Sequence, residues 1–448
     1  MEINNKNITV IGAVKSGVGA AKLIKKFGGF PFVSDINDNE MVRNSVKILE
    51  ELGIPHETGE HSEKVYNCDL MVVSPGVPSD APVIKEALSK GIRIISELEL
   101  ASAFCKGKIV AVTGTNGKTT TTSFCGHLFN YCGRKTYTAG NIGLAFSEIA
   151  PDVNENELVA LEVSSFQLDL IERFKPKIAV ILNITPDHLD RYEGDFSKYV
   201  HSKFRIFENQ DKSDFLVLNR DSEVILNSLP ETKSVKYLFS TLTKVENGCC
   251  LEDGMINFYR EGEIESGFDP SLLKIKGEHN LSNAMAVITT AKILELDDQK
   301  ITEALKSFEG VEHRLEPVRE IDGIVFINDS KATNVDSVWY ALRSFNAPIF
   351  LILGGQDKGN DYNRIKDLVA EKVKKIYAIG SSAEKIFNFF HSVVKVELKA
   401  SLDDTVHAAM SEARSGDIVL FSPACASFDM FDNYEHRGKV FKEAVMSL

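Results

Sequence analysis

The stretch "KIVAVTGTNGKTTTT", residues 108–122, constrains the chain more than any other. An apolar run of strand type ends in a loop of small residues, which passes into a lysine and a row of threonines able to open a helix. Gly114 and Gly117 let the backbone turn so that the N–H groups of Thr115, Asn116 and their neighbours face one point. Lys118 adds a positive charge there, and a strand, loop and helix in this order hold phosphates. The spacing is a variant of GxxxxGK[ST], because Val112 stands where the first glycine would be. Such a unit belongs in a parallel sheet covered by helices, so the remaining sequence should alternate strand and helix.

That alternation runs through all 448 residues. Residues 1–97 carry "ITVIG", "PFVSD", "LMVVSPG" and "IRIISE" between helical stretches. Residues 98–310 hold the phosphate loop, then "YTAGNIG", "LVALEVSSFQL", "IAVILNITPDHLDRY" and "FLVLNRD". A more antiparallel patch follows in "SVKYLFS", "CCLEDGMINFY" and "SLLKI", before a helix opening at "GEHNLSNAMAV". Residues 311–448 return to the first style with "GIVFIND", "PIFLILGG", "KKIYAIG", "VVKVEL" and "DIVLFSPA". The predicted fold class is therefore α/β in three domains: Rossmann-like at each end, with a central phosphate-loop domain carrying added antiparallel strands. In "GAVKSGVGA", Val14 replaces the second glycine of the dinucleotide fingerprint, which argues against a dehydrogenase.

A net charge of -13 disfavours nucleic acid or an anionic membrane as the main partner. No apolar run approaches a membrane span, and "MEINNKNITVIG" lacks the pattern of a secretory signal, so a cytoplasmic protein is expected. The seven cysteines show no CxxC pair or zinc spacing and read as reduced thiols.

Several residues near the phosphate loop suit its chemistry. Thr119 or Thr120 offers a hydroxyl to magnesium, and Glu162, ending "LVALE", stands where a metal carboxylate would. His188 follows another buried run and falls on the same rim. Lys203, in "DFSKYVHSKFRIF", lies within the apolar stripe of its helix rather than opposite it. Its amine is then either desolvated, neutral and able to take up carbon dioxide as a carbamate, or snorkelled to water on a packed stem. Spacing leaves both open.

Taken together, "GTNGKTT", "LEVSSFQL", "NITPDHLDRY", "GEHNLSNAMAV", "EHRLE", "INDSKATN", "LGGQDKG" and "SPACASFDMFDNYEHRG" resemble the Mur ligases, the ATP-dependent amide-forming enzymes of peptidoglycan synthesis. The last motif and "GAVKSG" are similar to the branch that adds D-glutamate to UDP-N-acetylmuramoyl-L-alanine. The resemblance implies a bacterial cytoplasmic monomer with domains 1–97 for the UDP-substrate, 98–310 for ATP and 311–448 for the amino acid. It implies that Gly114, Thr115, Asn116, Gly117, Lys118, Thr119, Thr120, Asn280, Asn283, Arg314 and Asp329 serve ATP. Thr119 and Glu162 would serve one magnesium ion and His188 a second, with Lys203 carbamylated. Ser16, Asp35, Gly76 and Asn141 would meet the UDP-substrate, although Ile36 and Asn37 depart from the hydroxyl and basic character expected after Asp35. Lys331, Thr333, Lys358, Ser427 and Phe428 would grip D-glutamate. Another Mur ligase or a folylpolyglutamate synthetase-like enzyme is the neighbouring alternative; the "DNPR"-type motif of the diamino-acid branch is absent.

Overall fold

The computed structural model describes residues 1–141, 143–357 and 359–448. Their strands form three sheets. The first is wholly parallel, in spatial order β3-β2-β1-β4-β5: β1 (Asn7–Ile11), β2 (Phe30–Asp35), β3 (His56–Thr58), β4 (Leu70–Val73) and β5 (Ile94–Ser96).

The second sheet has β6 (Lys108–Thr113), β7 (Thr136–Gly140), β8 (Leu158–Glu162), β9 (Ile178–Ile181), β10 (Phe215–Asn219), β11 (Val235–Ser240), β12 (Gly248–Glu252), β13 (Met255–Arg260) and β14 (Glu263–Phe268). Its order is β14-β13-β12-β11-β10-β9-β6-β8-β7, antiparallel only where β12, β13 and β14 pair. β6 and its neighbours β8 and β9 are buried on both faces, as the centre of a parallel sheet requires.

The third sheet has β15 (Glu316–Ile321), β16 (Ile324–Asn328), β17 (Ile349–Gly354), β18 (Val373–Ile379), β19 (Lys395–Leu398) and β20 (Ile418–Phe421), in order β15-β16-β20-β17-β18-β19. Only its edge strand β15 is antiparallel.

The described residues group into two compact units, Met1–Leu273 with Ser282–Phe308, and Lys274–Leu281 with Glu309–Leu448. Within the first unit the two sheets share one apolar core, to which Val10, Leu98, Phe146, Leu161 and Ile181 all belong. The seam between them is tight. Helix Lys15–Lys26 packs on helix Phe146–Ile149, and a Cβ on Gly19 would stand 2.6 Å from Ser147 Oγ. The buried Glu97 carboxylate accepts the Ser147 N–H at 2.6 Å, and burial pushes its carboxyl above the usual range.

Three strands were not legible in the hydrophobic pattern, and one expected strand is absent. β3 is only three residues long; β14 and β15 are edge strands whose side chains alternate weakly or face water. "SLLKI" is no strand: Pro270–Leu272 forms a single 3-10 turn that Asp269 caps through Ser271 N–H. All seven cysteines are free thiols, and no helix among the described residues is long and apolar enough to cross a membrane.

The first turn of the chain rests on a close backbone approach. A Cβ on Gly17 would lie 1.7 Å from Gly12 O and 2.8 Å from its carbonyl carbon, and neither atom can move aside like a side chain. Gly17→Ala is therefore expected to lower the apparent melting temperature by roughly 5 °C. Gly76→Ala, whose methyl would meet nothing within 4 Å, should leave it unchanged. Equal melting of the two variants by calorimetry would contradict this account of the turn.

Candidate active site

The phosphate loop is held from below by the segment that follows β9. Thr115 N–H donates to Asn183 O at 2.9 Å, Asn116 N–H donates to Asn183 Oδ1 at 2.8 Å, and Asn183 Nδ2 returns a bond to Asn116 O at 3.0 Å. Thr115 Oγ1 donates to Thr185 O at 3.0 Å. Gly114 and Gly117 have φ of 154° and 84°, and a Cβ at Gly117 would fall 2.6 Å from Asn283 Oδ1. Asn283 thus lies against the loop. Asn183 was not singled out by sequence reasoning, although it stands inside "NITPDHLDRY"; the signal was its place immediately after a buried strand.

Glu162 closes β8 and is buried. Thr119, in the first turn of helix Lys118–Tyr131, donates its hydroxyl to Glu162 Oε2 at 2.8 Å, while Asn141 Nδ2 donates to Oε1 at 3.0 Å. Asn141 N–H also donates to Glu162 O at 3.0 Å, so Asn141 stands in the carboxylate's own site. Thr120 is buried one position along the same helix.

Two lysines meet at one carbonyl. Lys118 Nζ donates to Gly114 O at 2.9 Å and to Thr115 O at 2.9 Å; Lys203 Nζ donates to the same Gly114 O at 2.9 Å. Lys203, on helix Phe196–Phe204, is 1% exposed, so its amine is not snorkelled to water. Burial, then the charge of Lys118, drives its pKa far below the usual lysine value despite Asp187, Asp169 and Glu162 nearby. The neutral amine is the form this environment favours.

His188 adopts a left-handed backbone (φ 53°) on the loop after β9, with its ring edge-on to Phe166 at 5.1 Å. The other face of the same loop is fixed by Arg191, a residue the sequence reading passed over. Its guanidinium lies 4.1 Å from the Phe166 ring centre and donates to Val77 O at 3.1 Å. It thereby reaches the turn that carries Gly76. The other candidates of the first sheet converge beside that turn. Ala13 N–H donates to Asp35 Oδ2 at 2.8 Å, Ser74 Oγ donates to Gly12 O at 3.3 Å, and Ser16 sits in the first turn of helix Lys15–Lys26. Val14, which caps that helix, has no side-chain acceptor for its first N–H groups. They remain available to an anion.

In the second unit, three motif loops are bundled at the carboxyl ends of β16, β17 and β20. Arg437 does most of this. Its buried guanidinium donates to Ser330 O at 2.7 Å, Ser330 Oγ at 3.1 Å, Cys425 O at 3.0 Å and Ala426 O at 3.2 Å. Gln356 and Ala426 exchange backbone bonds of 2.9 and 3.0 Å, which ties in the "LGGQ" loop. Lys331 Nζ donates to Tyr434 OH at 3.0 Å and lies 4.6 Å from its ring centre. Thr333 is half-buried on the same loop, Ser427 is buried, and Phe428 is 70% exposed. Lys358 lies outside the described residues. Asn280 donates its amide to Lys276 O at 2.8 Å.

Asp329 is buried, 3.9 Å from Arg314, and accepts from Ser422 Oγ at 2.8 Å and Leu315 N–H at 3.2 Å. It is not a surface pair. Burial pushes its carboxyl up to about 6 against the pull of Arg314 and Ser422. Nearby, Glu312, His313 and Glu316 cluster closely enough to suggest a cation site, but Lys442 already bridges Glu312 at 2.9 Å and Glu316 at 2.6 Å.

Comparison with known proteins adds three family matches. Residues 6–96 match the Mur ligase MurD-like N-terminal domain, residues 112–291 the Mur ligase middle domain, and residues 313–425 the Mur ligase glutamate ligase domain. The chain is 44% identical to the UDP-N-acetylmuramoylalanine--D-glutamate ligase of Chloroherpeton thalassium, covering 100% of this chain and 99% of that one. It is 42% identical to the protein of the same name from Salinibacter ruber, with coverage of 100% and 99%. Among solved structures, the UDP-N-acetylmuramate-alanine ligase of Thermotoga maritima shares the fold at a TM-score of 0.65 and 21% identity, covering 99% of each chain.

The raised Asp329 carboxyl gives a pH signature. A carboxyl lifted on folding stabilises the native state most below its unfolded value, and that contribution is lost as pH climbs from about 4 through about 6. Asp329→Asn removes the loss, so the melting temperature of the variant relative to the natural chain should be higher at about pH 7.5 than at about pH 4. A difference that shrinks with rising pH would mean that Arg314 outweighs burial.

Proposed function

The chain belongs to the Mur ligase family, and from that premise we propose that its site joins D-glutamate to UDP-N-acetylmuramoyl-L-alanine, converting ATP to ADP and phosphate. The observation that carries the reading is the meeting of Lys118, Lys203 and the Thr119–Glu162 pair at one phosphate loop. The reaction would take place in the bacterial cytoplasm. The three stretches 1–97, 98–310 and 311–448 would serve the UDP-substrate, ATP and amino acid respectively.

A carboxylate is a poor electrophile, so the substrate's L-alanyl carboxylate must first be activated. One of its oxygens bonds to the γ-phosphorus of ATP while the bond to the β-phosphate oxygen breaks, leaving an acyl phosphate and ADP. Lys118 and the loop N–H groups offset the negative charge of the phosphates during this step. The amine of D-glutamate then bonds to the acyl carbon and loses a proton, and the carbon–oxygen bond to phosphate breaks. Lys331 and Lys358 suit an amino acid with two carboxylates, with Thr333, Ser427 and Phe428 around it. Asn280, Asn283, Arg314 and Asp329 are assigned to the nucleotide, and Ser16, Asp35 and Gly76 to the UDP end. Asn141 would both orient Glu162 and meet the UDP-substrate.

The residues fit magnesium. The Thr119 hydroxyl and a Glu162 oxygen lie 2.8 Å apart on a buried rim, a pair of hard oxygen ligands that a divalent cation could take up in place of their mutual hydrogen bond. Bound there, magnesium would neutralise phosphate charge. His188 would serve a second ion. The buried amine of Lys203 would bond to the carbon of carbon dioxide and release a proton, becoming a carbamate anion beside Lys118.

Two experiments test this reading. Phosphate release from ATP in the presence of UDP-N-acetylmuramoyl-L-alanine should require D-glutamate, with a nucleotide product heavier by one glutamyl residue in mass spectrometry. Release without any amino acid would refute the ligase assignment. Lys203→Ala should lose at least about 100-fold in kcat, since a charged group at the reaction centre is removed, and regain part of it with added short carboxylic acids. A folded variant without such rescue would leave Lys203 as an amine.

A further inference from the structure

At the end of the second sheet away from the phosphate loop, a cavity of about 690 Å3 opens between the residue before β5 and the starts of β6, β9 and β10. Lys177 N–H donates to Ile109 O at 2.9 Å and Phe215 N–H donates to Lys177 O at 3.0 Å, which sets Lys108, Lys177 and Asp214 side by side at the amino ends of their strands. The whole of β6 lies between this cavity and the loop, a length of about 20 Å. The two are therefore separate places.

Five cations wall the cavity, Arg93, Lys108, Arg173, Lys175 and Lys177, in a chain whose net charge is -13. Three of them come from one extended segment. Arg173 and Lys175 are exposed and Lys177 is half-buried, whereas Phe174, Pro176 and Ile178 are buried, so alternation gives the cations a common side. Glu99 fixes the start of that segment: its buried Oε2 accepts the N–H groups of Glu172, Arg173 and Phe174 at 3.0, 3.0 and 2.8 Å. That carboxylate is thereby spent on the backbone.

The other anions nearby pair with only some of the cations. Asp214 is shared by Lys175 at 3.1 Å and Lys177 at 3.4 Å, Asp211 takes Lys175 at 2.6 Å, and Glu172 accepts from Arg93 Nε at 2.9 Å. Glu2, exposed on the wall, forms no ion pair with a described residue. Lys108 and Arg173 make no side-chain hydrogen bond or ion pair with a described residue either, and the Arg173 charge reaches Glu172 only through space. Two cations thus face one cavity with their donors unused. The Arg93 fork is already taken by Glu172, so most of the donors that remain are ammonium groups. These are point charges without the planar match to a carboxylate, and they favour the denser charge of a phosphate. The volume is that of a small-molecule site.

We propose that this cavity binds a small molecule carrying linked phosphates, held by Lys108 and Arg173 with Lys175 and Lys177 at its edge, as a second ligand site remote from the phosphate loop. The site goes beyond the ligase reading and does not rest on it, since none of these residues serves ATP, the UDP-substrate or D-glutamate in the assignments above. A ligand there would also touch both sheets of the first unit, because Arg93 leads into β5 and Lys108 opens β6.

Calorimetric titration of the full chain with inorganic tripolyphosphate, in magnesium-free buffer at low salt, tests the proposal. The phosphate loop takes the same probe, so the titration is repeated on Lys118→Ala, where the cavity should still bind. Adding Lys108→Glu with Arg173→Glu should weaken that binding at least about tenfold through the loss of two charge-assisted contacts, and Lys108→Gln with Arg173→Gln should weaken it less, in the same direction. Both side chains are exposed, so the unliganded variants should melt within about 2 °C of their parent. Cys105 reports the place of binding, since its half-buried thiol lines the cavity. In Lys118→Ala, tripolyphosphate should slow alkylation of Cys105 by a maleimide at least about threefold, read by peptide mass mapping, while Cys132, half-buried outside the cavity, keeps its rate. No binding to Lys118→Ala, binding there that both double substitutions leave unchanged, or an unprotected Cys105 would each overturn the proposal.

Discussion

The carbonyl oxygen of Gly114 accepts from two lysines, and the arrangement of the first unit follows from that. Each Nζ is 2.9 Å from the same atom, so the two nitrogens cannot be more than about 5.8 Å apart. Two full charges at that separation repel by about 3 kcal/mol at an effective dielectric of about 20. The positive end of helix Lys118–Tyr131 adds to the strain. Three things relieve it: loss of the Lys203 proton, the carboxylates of Glu162, Asp169 and Asp187, or an anion brought into the loop. Burial favours the first, the second is present in the three carboxylates, and the third is what a phosphate loop attracts. A loop so rich in donors is organised for a polyanionic ligand before that ligand arrives.

Rigidity in both units comes from polar groups buried behind the loops. Asn183 clamps the phosphate loop by matching its amide to Asn116, much as a backbone strand would. Arg437 performs the equivalent task in the second unit without a carboxylate in hydrogen-bond contact. A buried, unpaired guanidinium is expensive, and burial lowers its pKa to about 10. It is tolerated because its donors meet three carbonyls and a hydroxyl. Packing alone could not replace it, since apolar side chains offer no donors to join the Ser330 loop to the Cys425–Ala426 loop.

What was legible in the sequence was whatever depends on local pattern. The buried parallel strands, the phosphate loop, the antiparallel extension at β12 and β13 and the long helix at Glu278–Ile293 follow from short-range periodicity and glycine placement. Edge strands such as β14 and β15 did not, because half-exposed strands carry little hydrophobic signal. Lys203 marks the boundary most clearly. Its place in the apolar stripe could be read, but whether the amine snorkels depends on Gly114, 89 residues away in the chain. Arg437 and Asn183 escaped for the same reason: their partners are brought together only by the fold.

The tight seam inside the first unit has a mechanistic meaning of its own. Gly19 against Ser147, the Glu97–Ser147 bond and the shared apolar core pack helices Lys15–Lys26 and Phe146–Ile149 closely together. Arg191 adds a second connection, from the loop of His188 to the turn of Gly76. The carboxyl end of the first sheet, which the proposed function gives to the nucleotide, is thus joined closely to the second sheet, which carries the phosphate loop. A long substrate anchored by its nucleotide at one end would present its far end at a fixed reach. A fixed reach selects by length: a substrate shorter or longer than the span would bind through its nucleotide and still fail to place a carboxylate beside Lys118. On the proposed assignments, specificity for the length of the acceptor would come from the sheet-to-sheet packing rather than from any side chain that touches the reacting atoms.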